Sequence, residues 1–334
     1  NMGNSKRYED KRNSVQISEK SDGKLTIAWD GVNERQWDAW MERISPFPIE
    51  QTWSYGQAFA GVTPYHPVHG VIYDKKLPVA IVQAVEWRIF KFLRIAKIVR
   101  GPLFFEKVTD DQKNNVLDLI YQRYSFWNFD LLLWTPESSL CDPILQTFDK
   151  MRMRKVVTGY SSVLLDLCQT EETLLSQMDG KWRNQLKKSE KQGLQIKLTH
   201  QGDTLDWLLT RHEEARKSKR LRMPASPFIS AISLTIRNKQ GTLIFTANRN
   251  RKPVSGILVF KHGATATYYV GWNSEEGRLL NANNLLLWFA IKELKGRGVK
   301  WFDLGGVDGF SMPGVSRYKM GLGGNLYTLS GTYF

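Results

Sequence analysis

Residues 72–80 read Ile-Tyr-Asp-Lys-Lys-Leu-Pro-Val-Ala, and residues 247–255 read Ala-Asn-Arg-Asn-Arg-Lys-Pro-Val-Ser. Both segments predict a strand, a basic turn, a Pro-Val pair and a second strand. A second match, between Phe129-Asp130-Leu131 and Phe302-Asp303-Leu304, follows in the same order. The first pair of segments lies 175 residues apart and the second pair 173. The sequence therefore indicates two copies of one structural unit.

Each copy has antiparallel strands, then a helix, then a buried strand. The helices are predicted over 110–124 and 282–295, and the continuous apolar runs at 129–134 and 299–304 are typical of buried strands. This order resembles the fold of GNAT-type acyltransferases. We therefore predict an α/β (α+β) protein of two tandem GNAT-like domains, each a mixed sheet flanked by helices.

The composition supports two globular domains. Of the 334 residues, 42% are hydrophobic and 12% aromatic, which is enough for two cores. We expect a disordered polar tail over 1–22, a first domain over 23–155 and a second over 156–334. The polar start lacks the apolar core of a signal peptide, and no apolar run reaches the roughly 18 residues of a spanning helix. We expect a cytoplasmic protein, with the inner membrane face as a peripheral contact.

The net charge of +14 favours an anionic partner, such as nucleic acid, a phosphorylated substrate or an anionic membrane surface. Half of this excess lies in 181–222, where twelve basic residues face five acidic ones. The segment begins within a helix predicted over 170–191. It is a candidate polyanion site, although a solvated helix face explains any single lysine. The candidate substrate-binding cations are Arg183, Lys187, Lys188, Arg220 and Arg222.

A second basic row occurs in steps of three residues, in a predicted hairpin. Period three scatters such residues over both faces of a strand, so we expect them mostly at the surface. Trp87, Phe90 and Phe92 lie among these charges, where bases could stack, although core packing is the commoner role of such rings. The row consists of Arg88, Lys91, Arg94, Lys97 and Arg100.

Glycine-rich segments follow the last predicted buried strand. Residues 303–308 read Asp-Leu-Gly-Gly-Val-Asp, and residues 317–324 read Arg-Tyr-Lys-Met-Gly-Leu-Gly-Gly. Glycines allow the backbone to approach a ligand closely, and α/β folds bind ligands at the carboxyl ends of parallel strands. A lysine there could hold a phosphate or stabilise an oxyanion, whereas the alternative is a surface turn. The candidates are Lys319, Tyr318, Gly305 and Gly306.

Motifs of covalent and metal-dependent catalysis are missing from the sequence. It contains no GxSxG, HExxH or P-loop motif, and no Cys/His cluster at metal-ligand spacing, so we expect no metal. Cys141 and Cys168 are predicted to be buried free thiols. His66 and His69 are assigned to loop structure. Residues 273–281 match the phosphate-binding loop of acetyl-CoA enzymes poorly, which disfavours coenzyme A.

Several motifs resemble the FemABX family of aminoacyl-tRNA-dependent peptidyltransferases. The most specific is Tyr318-Lys319-Met320-Gly321-Leu322-Gly323-Gly324, which is like the family's aromatic-Lys-x-Gly-x-Gly-Gly. The resemblance covers roughly residues 50–334. The further segments that carry it are 51–56, 100–103, 183–193, 282–288 and 301–306.

The resemblance implies transfer of an amino acid from its tRNA ester to an amine of a peptidoglycan precursor, either lipid-linked or nucleotide-linked. It implies no cofactor beyond aminoacyl-tRNA as co-substrate, and it places Lys319 where the two substrates meet. The long helical arm of many members is not expected here, because 181–222 has no long uninterrupted coiled-coil repeat. Direct aminolysis fits the lack of a nucleophile motif, with Lys319 stabilising the oxyanion.

Two alternatives remain open from the sequence. One is a GNAT-fold N-acyltransferase that uses an acyl-CoA or acyl-carrier donor, distinguished by thiol release. The other is a non-catalytic basic module that binds nucleic acid or anionic lipid, distinguished by binding without product.

Overall fold

The computed structural model describes residues 24–90, 92–124, 126–218, 220, 223–307 and 312–334. The tail predicted over 1–22 lies outside these residues. The described chain forms two mixed β-sheets flanked by helices, which confirms the predicted fold class.

Strands and helices alternate along the chain. The strands are β1 (Thr26–Trp29), β2 (His66–Asp74), β3 (Leu77–Ile89), β4 (Leu93–Val99), β5 (Leu103–Phe104), β6 (Asp130–Thr135), β7 (Lys155–Val157), β8 (Ser161–Asp166), β9 (Gln195–Thr199), β10 (Thr242–Arg249), β11 (Lys252–His262), β12 (Thr265–Asn273), β13 (Trp301–Gly306), β14 (Asn325–Thr328) and β15 (Thr332–Tyr333). The α-helices are α1 (Glu34–Met41), α2 (Trp53–Val62), α3 (Asp110–Tyr121), α4 (Leu145–Lys150), α5 (Glu171–Gln177), α6 (Gly180–Glu190), α7 (Asp203–Ser218), α8 (Ser226–Thr235), α9 (Glu275–Leu279), α10 (Ala282–Gly296) and α11 (Pro313–Met320).

The two sheets divide the chain almost in sequence order. The first has the order β1-β2-β3-β4-β6-β15-β7, with β5 paired to β3, and the second has the order β14-β8-β13-β12-β11-β10-β9. The last strand, β15, pairs with β6 and β7, so the end of the chain returns to the first sheet. The domain boundary between residues 155 and 156 stays a prediction.

The two halves repeat one arrangement, as the sequence indicated. In the hairpins β2–β3 and β10–β11 the register shifts just before the turn, between Ile72 and Tyr73 and between Ala247 and Asn248. These shifts are separated by the same 175 residues as the Pro-Val segments. In each half the next strand pairs in parallel with the strand after the long helix, β4 with β6 and β12 with β13.

Each half has its own hydrophobic core. Helix α3 buries Val116 and Ile120 against the first sheet, and α10 buries Leu287, Ile291 and Leu294 against the second. These residues recur every three or four positions, so each helix presents one apolar stripe to its sheet.

The helix predicted over 170–191 is interrupted, so this prediction is wrong. Met178 has an extended backbone, and Asp179 starts α6 by accepting a hydrogen bond of 2.7 Å from the Trp182 N–H. The Asp179 N–H itself donates to the carbonyl of Gly321 at 2.9 Å. The predicted helix is therefore divided in two, because Asp179 acts as an N-cap and its backbone contacts the distant Gly321.

Two smaller predictions also change. Cys141 and Cys168 are free, as expected, but exposed rather than buried, because both lie in turns after strands. His66 and His69 lie in strand β2 rather than in a loop, and the ring of His69 stacks on Trp53 at 3.9 Å. Among the described residues, no helix is long and apolar enough to cross a membrane.

Candidate active site

The two central strands of the second sheet separate partway along their length. The parallel pairs of β12 with β13 run from Thr265–Trp301 to Thr267–Asp303, whereas β4 and β6 of the first sheet stay paired over six positions. Strand β12 also bulges at Tyr269, because Val270 and Tyr268 face consecutive residues of β11. A bulge bends its strand, and the second sheet therefore opens at the carboxyl ends of its parallel strands.

Helix α11 brings Lys319 to this opening. The side chain is only 8% exposed, and its Nζ donates a hydrogen bond of 2.9 Å to the carbonyl of Gly306 at the end of β13. Nζ also lies 5.3 Å from the centroid of the Tyr268 ring on β12. Lys319 thus contacts both strands that separate.

The surroundings of Lys319 lower its pKa. Burial lowers its pKa from 10.5 to about 8, while the carboxylate of Asp303 acts to raise it. A group with this pKa is still mostly protonated at pH 7. The ammonium carries three N–H donors and gives one to Gly306, so it can offer others to a developing oxyanion.

Asp303 fixes the strand end beside Lys319. Its Oδ1 accepts from the Ser162 hydroxyl at 2.5 Å and from the Gly305 N–H at 2.9 Å, and its Oδ2 accepts from the Tyr327 hydroxyl at 2.6 Å. Three donors on one buried carboxylate hold it in one orientation.

Gly305 and Gly306 allow the backbone to pass close to neighbouring groups, where a side chain would be crowded. Gly305 has φ +71°, and a Cβ there would lie 2.8 Å from the carbonyl oxygen of Tyr268. A Cβ at Gly306 would lie 3.0 Å from the ring of Tyr160. The two predicted glycines are therefore required by the shape of the opening, whether or not they touch a substrate.

Arg100 joins the two sheets through one buried and two half-buried carboxylates. It follows β4, and its guanidinium forms two hydrogen bonds of 2.7 Å with Glu137. Its Nη1 lies 3.7 Å from Oδ2 of Asp303 in the second sheet and 3.7 Å from Oε2 of Glu50. Burial acts to lower the pKa of Arg100, but the carboxylates, Glu137 foremost, raise it well above its usual value.

The basic row predicted mostly at the surface is divided by strand geometry. Arg94 and Arg100 are 9% and 7% exposed, so the surface prediction is wrong for both. Arg94 lies on the same inward face as Ala96 and Ile98, because strand side chains alternate with period two. Arg100 follows the strand in a bend with φ +57° and is buried by its carboxylate partners. Arg94 is paired with Asp130 through hydrogen bonds of 2.9 and 2.6 Å.

Glu50 lies at the edge of the Arg100 cluster. Its Oε2 is buried and accepts no hydrogen bond from the described residues. Burial raises the pKa of Glu50, and the charge of Arg100 opposes this rise. A carboxylate oxygen without a donor can accept one from an ammonium or amine group.

Tyr318 and Arg183 make hydrogen bonds to backbone carbonyls of segments next to the site. The Tyr318 hydroxyl donates to the carbonyl of Asn283 at 2.8 Å, and its own carbonyl accepts from the Trp182 indole at 3.1 Å. Nη1 of Arg183 donates to the carbonyls of Ser176 and Met178 at 2.9 and 2.8 Å, so it caps the end of α5. Substrate contact by either residue stays a prediction.

The other predicted cations lie at the surface. Lys187 and Lys188 are exposed on α6, one to two turns beyond Trp182, whose ring lies 5.8 Å from that of Tyr318. Arg220 is exposed, and Arg222 lies outside the described residues. Of the predicted set, the structure thus brings Lys319, Gly305 and Gly306 together, and it leaves the lysines of α6 exposed on the helix that begins beside Tyr318.

The family comparison places an acyltransferase domain around this site. Residues 177–320 match the family described as an acetyltransferase (GNAT) domain. The matched range contains β12, β13 and Lys319. The second half is therefore similar in sequence to the GNAT acetyltransferase domain over the segment that contains the opening and Lys319.

The fold of FemX extends over nearly the whole chain. The crystal structure of FemX superimposes with a TM-score of 0.77 at 12% identity, covering 92% of this chain and 96% of FemX. A tandem GNAT protein from the clavulanic acid biosynthesis pathway gives 0.55 at 14% identity, with 92% and 97% covered. The resemblance to the FemABX family is thus confirmed at the level of the fold.

A further solved structure shares this fold. The C-terminal domain of a protein assigned as a lysylphosphatidylglycerol synthetase from Agrobacterium fabrum gives a TM-score of 0.54 at 13% identity, with 90% and 92% covered. Among curated proteins, no sequence matches this chain.

Proposed function

We propose that the protein is an aminoacyltransferase that moves an amino acid from aminoacyl-tRNA to an amine of a peptidoglycan precursor or a similar peptide. The observation that carries the proposal is the buried ammonium of Lys319 at the opening between β12 and β13. The shared fold of FemX supports an acyl transfer of this kind. The reaction uses charged tRNA as co-substrate and needs no other cofactor, and we place it in the cytoplasm.

The proposed reaction is a direct aminolysis. The amine nitrogen of the acceptor attacks the ester carbonyl carbon, a C–N bond forms, and the carbonyl oxygen takes up the electron pair. Lys319 donates a hydrogen bond to this oxyanion. The intermediate then collapses, the ester C–O bond breaks, the ribose oxygen gains a proton and the amine nitrogen loses one.

The backbone of α9, just after β12, favours a donor other than acyl-CoA. A phosphate cradle needs free N–H groups. Here the segment after β12 folds as α9, and the N–H of Gly277 donates to the Ser274 hydroxyl at 2.9 Å. The N–H groups of Arg278 and Leu280 donate to carbonyls of the same turn. These donors are already used within the chain.

A transfer assay tests the proposal. The protein is incubated with bulk tRNA charged with labelled amino acids and with lipid-linked and nucleotide-linked peptidoglycan precursors, with and without ribonuclease. We expect transfer of label that ribonuclease abolishes. Thiol release from an acyl-CoA panel without such transfer would instead support the N-acyltransferase alternative, and tRNA binding without any product would support a non-catalytic module.

Exposed lysines of α6 are expected to contribute to tRNA binding. In the double variant Lys187→Ala/Lys188→Ala, the slope of log K against log[salt] should become less negative by about 1 to 2, because each phosphate contact releases condensed counterions. The measurement is a filter-binding titration at several salt concentrations. The matched control is Lys75→Ala/Lys76→Ala, two exposed lysines in the β2–β3 turn, and an equal change in that control would remove α6 from the interface.

A further inference from the structure

Four large aromatic side chains are exposed together where strands β4 and β6 of the first sheet begin. Phe90, Phe92, Trp127 and Phe129 are 78%, 65%, 89% and 63% exposed. We call these four residues the aromatic tip. Such large apolar side chains are normally buried, and a cluster of exposed ones marks an interaction surface.

Strand pairing brings the aromatic tip together from two segments. Phe90 and Phe92 lie in the turn between β3 and β4, with ring centroids 6.0 Å apart. Phe129 precedes β6, and its carbonyl accepts from the N–H of Arg94 at 3.2 Å, where β4 and β6 begin side by side. The sheet itself therefore fixes this cluster.

The backbone at the aromatic tip is costly for the residues it carries. Phe90 has φ +56° and Phe129 has φ +57°. Glycine or asparagine occupies this left-handed region at lower cost than an aromatic residue. Because neither ring is buried, folding stability gains little in return, and the two phenylalanines are better explained by a contact outside the chain.

Charge favours an anionic partner. The aromatic tip borders a pocket of about 400 Å³ that also contains Arg88, Arg94 and Asp130. Asp130 is neutralised by its double hydrogen bond to Arg94, whereas the side chain of Arg88 is exposed. The pocket thus combines exposed rings with one available guanidinium.

We propose that the aromatic tip is a docking surface for an anionic lipid bilayer. Tryptophan and phenylalanine rings insert at the boundary between headgroups and acyl chains, and arginine is attracted to anionic lipid phosphates. A single-stranded nucleic acid would need a basic groove that follows its backbone, and Arg88 alone does not form one in this pocket. Four exposed rings with one exposed cation, counted over the described residues around this pocket, fit a membrane interface better.

The position of the aromatic tip leaves the candidate active site free. The tip lies at the amino ends of β4 and β6, and Arg100 lies beyond the carboxyl end of β4. Six residues of strand separate Arg94 from Arg100, about 20 Å. A bilayer docked at the tip would therefore hold the protein without covering the opening at Lys319.

Vesicle co-sedimentation of the full chain tests this proposal. We expect binding to vesicles of phosphatidylglycerol and phosphatidylcholine, and at least tenfold weaker partitioning of the variant Phe90→Asn/Phe92→Ser/Trp127→Ser/Phe129→Asn. Asparagine suits the two left-handed positions, so this variant should fold. The matched control replaces the exposed Leu77, Leu140, Leu234 and Leu279 with serine and should stay within twofold of the wild type.

Three outcomes would overturn the proposal. In the first, the tip variant binds vesicles as well as the wild type does. In the second, the tip variant loses tRNA binding while its vesicle binding is unchanged, and in the third, light scattering shows a wild-type dimer that is a monomer in the tip variant. Trp127→Phe provides a second measurement, since brominated lipid should quench the wild type more than this variant. These readouts do not depend on aminoacyl transfer, so their failure would leave the proposed function untouched.

Discussion

Replacing Lys319 with methionine is expected to lower kcat at least a hundredfold while making the fold more stable. Removing one well-placed oxyanion donor costs a factor of about 10²–10³ in kcat. Lys319→Ala should cause the same loss, but it leaves a cavity, whereas methionine fills similar space. The rate is measured by ribonuclease-sensitive transfer, and a near-wild-type rate in either variant would remove Lys319 from the mechanism.

The gain in stability follows from the direction of the pKa shift. Because burial lowers the pKa of Lys319 from 10.5 to about 8, the unfolded chain binds this proton more tightly than the folded one. The folded state therefore carries a destabilising buried charge below about pH 8, and this cost disappears as the pH rises towards 10.5. Lys319→Met should raise the free energy of unfolding at pH 7 by about 1–3 kcal/mol, less at pH 10. Urea unfolding at both pH values measures this difference.

The lowered pKa of Lys319 is expected to reduce the reaction rate at alkaline pH, an effect that an arginine at this position would not show. The wild-type rate should fall as the pH rises through about 8, because the neutral amine of Lys319 stabilises an oxyanion poorly. Lys319→Arg stays charged over this range. The ratio of the wild-type rate to the Lys319→Arg rate should therefore decrease above pH 8, and the acceptor amine, which is common to both enzymes, cancels. A constant ratio would show that another group sets the limit.

The parts of this site that were predictable from sequence are local. The glycines at 305 and 306 and the lysine at 319 occur in short motifs after a recognisable buried strand. The arrangement of the two halves was also predictable, because the Pro-Val segments repeat at a constant offset and mark the same register shift in both hairpins.

The rest depends on contacts between distant segments. Glu50, Arg100 and Asp303 lie in three separate parts of the sequence, and no spacing rule connects them. Arg94 could have been recognised as buried from strand alternation, because it has the parity of Ala96 and Ile98. The interruption of the helix at Asp179 could not have been recognised from the sequence, because its backbone partner Gly321 is 142 residues away. The bulge at Tyr269, which opens the sheet, likewise has no clear sequence signal.

Removing the charge of Arg100 is expected to cause the largest loss of stability among single substitutions in this cluster. Arg100→Met leaves Glu137, Glu50 and Asp303 close together without their shared cation, and breaking a buried ion pair from one side costs about 3–5 kcal/mol. The surface pair of Arg297 with Glu293, 2.8 Å apart on α10 and its cap, gives the control. Arg297→Met should cost less than about 1 kcal/mol.

The pH dependence separates an electrostatic cause from lost packing. Burial raises the pKa of Glu50 and the charge of Arg100 opposes this rise. Without Arg100, Glu50 should hold its proton more tightly in the folded state than in the unfolded chain, so the variant should lose stability relative to the wild type as the pH rises from 4 to 7. Glu137→Gln in the Arg100→Met background should recover part of the loss, because it removes one of the repelling charges. A loss independent of pH would mean that Arg100 acts through packing of its stem rather than through its charge.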